Sequence, residues 1–325
     1  MQSAWRIVRN SLEIQKCAIP IIRSKSQILV KPYFTSLNPI DWKIRDGYGE
    51  GIWPKLKTRV GRECVGKVVD SGCSKFINQM VACFISPFSD GASSEYILVD
   101  KSAVAVLPIE YSTDVSFLRQ ASCLPYAAAT VFKFIEQASG LLVILGAAGG
   151  LGHIAIQVSK LNPKVDDILA VCRNEHHGFI SQFGVKSSSS LKACCEHLSV
   201  LDLIGYNDLV DKVNVKVSLN YATTVHPSLE YFKKYSMLMA PPLITTEYIC
   251  QLRKLKKICR NSSLKWIFAD NCLSGTEKML KMLKDNELKI HIEREFDFSE
   301  FDKALEYLKT RPSGRGKIII KYAHA

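Results

Sequence analysis

Leu142-Val143-Ile144-Leu145-Gly146-Ala147-Ala148-Gly149-Gly150-Leu151-Gly152-His153-Ile154-Ala155-Ile156-Gln157 decides how this chain is read. Four aliphatic residues run into a cluster of small ones, which opens an apolar, helix-compatible segment. A buried parallel strand reads as a short continuous apolar run, and glycines after it permit a tight turn and close approach of the backbone to a ligand. The next helix then points its N-terminal amides, and the positive end of its dipole, at that turn. This order suits the pyrophosphate of a dinucleotide, with Gly146, Ala147, Gly149, Gly150, Leu151 and Gly152 forming the cradle. The spacing Gly146-x-x-Gly149-Gly150-x-Gly152 departs from the general Gly-x-Gly-x-x-Gly fingerprint. The alternative is therefore a glycine-rich turn without ligand.

Upstream, from Gln27 to about Leu107, short β-rich runs (Ile28–Val30, Val65–Val69, Met80–Ile85, Tyr96–Val99) are broken by Gly, Pro, Asn and Asp. Such spacing predicts a small β-rich, barrel-like domain. Trp5–Val8 reads as the start of a first strand, and Ser116–Ala138 as helical with a break at Pro125. Downstream, the strand Asp167–Cys172 and a helix around His177–Phe183 continue the alternation, followed by apolar runs at Val213–Leu219 and Met237–Ala240. Alternating strands and helices predict a parallel sheet covered on both faces. After about residue 270 come a helix over Thr276–Leu283 and an extended run over Ile290–Phe298. Ser299-Glu300-Phe301-Asp302 reads as a capping box for Lys303–Leu308, and Lys317–Ile320 as a final strand. Ser187–Ser190 reads as a loop.

With 325 residues the chain is long enough for about two domains. Its 47% hydrophobic and 23% charged residues are those of an ordinary globular protein. No apolar run reaches the roughly 20 residues that a membrane-spanning helix needs. The net charge of +12 raises the question of nucleic acid. In the densest basic run, Arg253–Arg260, Leu252, Leu255 and Ile258 recur at helical spacing, which makes the basic residues the solvated side of an amphipathic helix. No zinc-finger spacing or aromatic-basic interleaving is present, so no nucleic-acid partner is expected. Eleven cysteines without a Cys-x-x-Cys pair favour a reducing interior. Cys194-Cys195-Glu196-His197 reads as a partly exposed helix or loop that holds no metal.

In a Rossmann unit an acid at the end of the second strand bonds the ribose hydroxyls of NAD, whereas an Arg there accommodates the extra phosphate of NADP. Here that strand ends Val171-Cys172-Arg173-Asn174, with no acid at the key position. Arg173 therefore favours NADPH over NADH; its alternative is a solvated loop residue.

Four further stretches fall in a familiar order: Ser36–Tyr48, Gly61-Arg62-Glu63-Cys64-Val65-Gly66, Ala121–Thr130 with Leu124-Pro125-Tyr126, and Gly314-Arg315-Gly316-Lys317-Ile318. Together with the glycine turn they make the chain resemble the medium-chain dehydrogenase/reductase superfamily over nearly its whole length, most closely its quinone oxidoreductase branch. The resemblance implies an α/β fold in which a Rossmann doubly wound parallel sheet is inserted in a β-rich GroES-like catalytic domain. The expected divisions are 1–124 for the N-terminal part of the catalytic domain, 125–270 for the cofactor domain and 271–325 for the return. Zinc enzymes of this superfamily carry Cys where Asn38-Pro39 stands and His where Arg62 stands, so no metal is expected.

The implied activity is transfer of hydride from NADPH to a quinone or similar conjugated carbonyl acceptor, in a cleft between the domains. By the same resemblance Thr130 and Tyr126 help hold the nicotinamide half. In related enoyl thioester reductases a Tyr-Gly pair at the place of Tyr48-Gly49 donates a proton to the substrate, which makes an enoyl thioester the alternative acceptor. Tyr48 and Asn38 are thus the candidate catalytic residues; a cleft-lining aromatic and a turn former are the alternatives. Relatives carry an acid and a Gly pair near the end of the fourth strand of the cofactor domain, where this chain is read as Leu219–Thr224. That departure keeps open a catalytically weak, partner-binding protein, with a reticulon-like membrane protein as partner. Relatives often form homodimers by extending the sheet. The resemblance implies a mitochondrial location, with the cytoplasm as the alternative.

Overall fold

In the computed structural model, residues 1–48, 59–205, 212–235, 237–310 and 314–325 are described. Gly49, half of the Tyr48-Gly49 match, lies outside them. The chain divides into unit 1, comprising Met1–Ala129, Ala269–Ser313 and Lys317–Ala325, and unit 2, comprising Thr130–Phe268 and Gly314–Gly316.

Unit 1 begins with a hairpin of β1 (Gln2–Val8) and β2 (Ser11–Cys17). Its two-residue turn places Arg9 and Asn10 at φ of 48° and 65°, the left-handed pair that such hairpins favour. The main sheet contains β3 (Gln27–Leu37), β4 (Glu63–Ser71), β5 (Met80–Phe84), β6 (Ile97–Asp100), β7 (Val104–Val106), β14 (Ile292–Asp297) and β15 (Lys317–Lys321). Its order is β14-β15-β3-β4-β5-β7, with β6 also paired to β3. Alternate residues of these strands, including Ile28, Val30, Val68, Val81, Ile97 and Val99, build one core. The helix Phe301–Thr310 packs Phe301, Leu305 and Leu308 beneath β15 in another. That helix starts at Phe301, two residues ahead of the expected position, because a 3-10 turn over Phe298–Glu300 runs straight into it.

Unit 2 is built on β8 (Gly140–Leu145), β9 (Val165–Val171), β10 (Lys186–Ser188), β11 (Ala193–Asp202), β12 (Val213–Thr223) and β13 (Ser262–Trp266). All pairings are parallel and the order is β10-β9-β8-β11-β12-β13. Counted from β8, this is 3-2-1-4-5-6, the dinucleotide-binding order in which the topology reverses between the first and fourth strands. Val143, Leu145, Val200, Leu219 and Leu264 form the core of the sheet, with Leu255 of the helix Ala240–Ile258 packed on it.

Three local expectations are corrected. Ser187 and Ser188 are not loop but the end of β10. Cys194–His197 is neither helix nor loop but the exposed first half of β11, whose second half, Leu198–Asp202, is buried. Met237–Ala240 is not a strand: residues 237–239 form a turn, and Ala240 starts a helix. Pro241 and Pro242 stand in the first turn of that helix, where missing amides leave no hydrogen bond unmade.

Candidate functional site

The crevice of an open α/β sheet lies outside the carboxyl ends of its strands at the reversal of order, here between β8 and β11. The glycine turn occupies that place. The Gly146 and Ala147 amides donate to the Val171 carbonyl, at 3.0 and 3.1 Å, and pin the turn across β9. Gly146 has a φ of +81°, and a side chain there would strike Ile204 Cγ2 at 2.6 Å. A Cβ on Gly152 would lie 2.6 Å from both Ala147 Cα and Ala147 O, so only glycine lets the helix Gly152–Ser159 start this close beneath the turn. Tight turn, close backbone and helix N-terminus suit a pyrophosphate. The residues gathered are Gly146, Ala147, Gly149, Gly150, Leu151 and Gly152. Thr130 is buried elsewhere in unit 2, in one turn of π-helix over Ala128–Phe132, a local form frequent at functional sites.

β11 supplies what the sequence reading had sought on the wrong strand. The fourth strand is β11, not the one holding Leu219–Thr224, and it ends in the acid Asp202 with Gly205 three residues on. The buried Asp202 carboxylate accepts the Tyr221 hydroxyl at 2.6 Å, the Thr223 hydroxyl at 3.1 Å and the amides of Ile204 and Gly205 at 3.0 and 2.8 Å. It thereby fixes the loop that follows β11 beside the glycine turn. Leu219–Thr224 belongs to the fifth strand, β12, so the supposed loss of the acid is withdrawn.

At the end of β9, Arg173 Nη2 lies 3.2 Å from His176 Nε2 and 3.1 Å from Glu175 Oε1. Glu175, two residues past Arg173, thus brings a carboxylate against the guanidinium that the position at the strand end does not supply. Gly314–Gly316 passes alongside: the Gly316 amide donates to Ala148 O at 3.0 Å. A Cβ on Gly314 would meet Arg173 Nη2 at 2.8 Å.

Unit 1 holds a second polar centre. Asn38 precedes the helix Pro39–Arg45; its amide nitrogen Nδ2 donates to Glu63 Oε1 at 2.8 Å, and its Oδ1 accepts from Lys317 Nζ at 2.9 Å. Lys317 Nζ also reaches Glu63 Oε1 at 2.8 Å, while Glu63 Oε2 accepts the Tyr126 amide at 2.8 Å. Beside this trio, Asp41 accepts the backbone amides of Asn38 and Gly61 at 2.8 and 2.7 Å and faces Arg62 Nε at 3.9 Å. Burial pushes the Asp41 carboxyl up to about 6, against the opposing pull of Arg62 and the two amides.

The Arg62 guanidinium donates to the carbonyls of Arg59, Ser86 and Ser89. It has donors only and stays charged, so it cannot serve as a metal ligand. Tyr126 is buried, stacked on Phe84 with ring centroids 6.3 Å apart. Burial, with Asp41 and Glu63 nearby, raises its phenol far above the usual range, so it acts as a neutral hydrogen-bonding group. Tyr48 is half-buried just beyond the helix, its ring 5.6 Å from Lys43 Nζ, and its hydroxyl is electrostatically coupled to that of Tyr126.

Sequence reasoning thus named Asn38, Tyr48, Arg173 and the glycine turn, but not Glu63, Lys317, Asp202 or Glu175 as functional. Lys317 carried a signal: a lysine inside the apolar run Lys317–Ile320 must find a buried partner.

No protein-family model matches the chain. It is 26% identical to the mitochondrial NAD(P)H oxidoreductase RTN4IP1 of Mus musculus, over 94% of this chain and 84% of that protein. It is 24% identical to the mitochondrial reticulon-4-interacting protein 1 of Caenorhabditis elegans, over 98% and 94%. A chloroplastic quinone-oxidoreductase homolog of Spinacia oleracea is 28% identical over 54% of this chain and 55% of its own length. Among solved structures, the quinone oxidoreductase of Coxiella burnetii superposes with a TM-score of 0.76 at 21% identity, covering 98% of this chain and 99% of that one. The fold is that of the medium-chain dehydrogenases/reductases, and the relatives of Mus musculus and Spinacia oleracea carry oxidoreductase names.

Proposed function

We propose that this chain is a mitochondrial, NADPH-dependent oxidoreductase that transfers hydride to a quinone or similar conjugated carbonyl acceptor without a catalytic zinc. The observation that carries this reading is the 3-2-1-4-5-6 sheet with its glycine turn at the reversal point and Arg173 at the end of β9. The names and the mitochondrial assignment of the relatives point the same way. When bound, NADPH supplies the hydride, and the protein supplies orientation and exclusion of water.

On this reading Gly146–Gly152 takes the pyrophosphate and Arg173 the 2′-phosphate. Thr130 and Tyr126 hold the nicotinamide half, and Tyr126 donates its hydroxyl proton to a hydrogen bond without ionising. Asn38 is a positioning residue: its amide is held by Glu63 and Lys317, so it orients the start of the Pro39–Arg45 helix rather than a substrate. The cation Arg62 and the amide Asn38 support the zinc-free reading, since a zinc site needs thiolate, imidazole or carboxylate ligands.

The test is a thermal shift with NADPH followed by acceptor-dependent oxidation of NADPH. A ligand at 100 times its Kd should stabilise the fold by about 2.7 kcal/mol. Turnover of a soluble quinone, undiminished by a strong chelator, is the expected result. A folded protein that gains no stability from NADPH would overturn the reading. It would favour the second one, a partner-binding protein, for which the name of the reticulon-4-interacting relative is the observation.

A further inference from the structure

The carboxylate beside Arg173 makes the end of β9 more than a phosphate site. Glu175 sits on the 3-10 turn Asn174–His176, which folds its side chain back so that Oε1 lies 3.1 Å from Arg173 Nη2 and 3.5 Å from His176 Nε2. His176 is buried, and its Nε2 is the acceptor for the Arg173 guanidinium, which fixes that edge of the cation. Gly314, at a φ of +67°, passes so close that a Cβ would lie 2.8 Å from Nη2. The guanidinium is thus framed by an imidazole, a backbone strap and one carboxylate. The carboxylate is a solvated partner that can leave: the Arg173 and Glu175 side chains are 56% and 58% exposed, and so solvated a pair contributes little to stability.

We infer that Glu175 makes this a two-cofactor site: it accepts a hydrogen bond from the adenosine ribose hydroxyl of NADH, and it is displaced into solvent when the 2′-phosphate of NADPH takes its place on Arg173. The inference rests on the dinucleotide reading above and adds a second specificity residue to it. The physical ground is that one site holds both groups that Rossmann proteins use to tell the two cofactors apart, an acid for the free hydroxyl and an arginine for the phosphate. The two groups neutralise each other when the site is empty. With NADH the pair stays together and the carboxylate still has acceptor capacity for a hydroxyl, since an ionised carboxylate offers about four lone-pair sites. With NADPH a dianionic phosphate outcompetes a single carboxylate for the same guanidinium, and like-charge repulsion drives Glu175 outward.

The experiment measures Kd for NADH and for NADPH, by nucleotide fluorescence at one ionic strength, in the wild type, Glu175→Gln and Arg173→Gln. The wild type should bind both, within roughly tenfold of each other. Glu175→Gln should tighten NADPH and weaken NADH, raising the preference for NADPH by about tenfold or more, the size expected from one charge-assisted hydrogen bond. Arg173→Gln should do the reverse, weakening NADPH by roughly 10- to 100-fold with NADH little changed. Glu175 is solvated enough that its replacement leaves folding intact. If the wild type binds NADPH and Glu175→Gln leaves the NADPH/NADH ratio within twofold, Glu175 is only a surface partner and the inference fails while the dinucleotide reading stands. If a folded wild type binds neither nucleotide, both fail together.

Discussion

In unit 1, Asn38, Asp41, Arg62, Glu63 and Lys317 are each 2% exposed or less, and their polar groups face fixed partners contributed by the Pro39–Arg45 helix, β4, β15 and neighbouring loops. In unit 2, Arg173 and Glu175 are more than half in water. The first cluster is closed: each charged side chain has a buried partner, and removing one leaves a charge stranded in a low-dielectric interior. The second is open, a pair that solvent screens and that, on the inference above, a phosphate divides. The difference teaches where to seek rigidity and where exchange. Buried polar groups hold the Pro39–Arg45 helix and Tyr126 in register, while the exposed groups are the ones proposed to choose the ligand.

The comparison breaks most visibly at Lys317. Lys317→Met strands the Glu63 carboxylate with only the Asn38 and Tyr126 amides for partners, and a broken buried pair typically costs about 3–5 kcal/mol. Urea unfolding should register that loss, and a combined Glu63→Gln/Lys317→Met chain should recover most of it. A loss below about 1 kcal/mol for Lys317→Met would mean that water reaches the cluster and that it is not closed.

Asp41 sharpens the same side through pH. Its folded-state value of about 6 exceeds the ordinary 3.8 because burial disfavours the carboxylate. The folded chain therefore keeps a proton that the unfolded chain releases, and stability falls as pH rises through that window. A shift of this size corresponds to about 3 kcal/mol. Asp41→Asn lacks the titration, so the melting temperature of wild type relative to Asp41→Asn should drop by several degrees from about pH 4 to pH 7. A constant difference would place Asp41 in a solvated environment.

On the open side, Gly152→Ala adds a methyl 2.6 Å from Ala147 Cα. Overpacking of that kind costs about 1–3 kcal/mol, which should appear as roughly 10- to 100-fold weaker NADPH binding. Gly178→Ala is the control, since nothing lies within 4 Å of its added Cβ. Equal affinity in both variants would remove the glycine turn from the cofactor site.

Local signals read well where one stretch carries all of its own chemistry. The apolar run Leu142–Leu145 with its glycines predicted β8, the turn and the helix because strand, turn and helix start are contiguous in sequence. β11 was missed because its first half is exposed and polar, Cys194-Cys195-Glu196-His197, while only its second half enters the core. With β10 read as a loop and β11 missed, the strand count was lost, which placed the acid of the fourth strand at Leu219–Thr224 instead of Asp202. The closed cluster was half visible: Asn38 and Arg62 stood out as residues where zinc ligands are expected. Their partner Lys317 is 279 positions from Asn38, a distance over which no periodicity reports. Glu175 is two residues from Arg173, yet only the 3-10 turn brings its carboxylate back onto the guanidinium.

Tyr48 stands between the two regimes, half-buried yet coupled to the buried Tyr126, and the smallest effect is expected there. Reduction of a quinone to hydroquinone takes up one hydride and one proton, and water can supply that proton to an oxygen; Tyr48→Phe should therefore change quinone turnover by no more than about threefold, well short of the 10²–10⁴ typical of a general acid. An enoyl thioester needs a proton delivered to carbon, a transfer that a positioned phenol hydroxyl such as that of Tyr48 can make. Rates of a soluble quinone and of a trans-enoyl thioester, compared in wild type and Tyr48→Phe, decide between them. A collapse confined to the thioester, from a wild-type rate exceeding that of the quinone, would assign the chain to enoyl reduction with Tyr48 as its acid. Little change on the quinone, with a negligible thioester rate in both chains, leaves the Tyr48 hydroxyl dispensable.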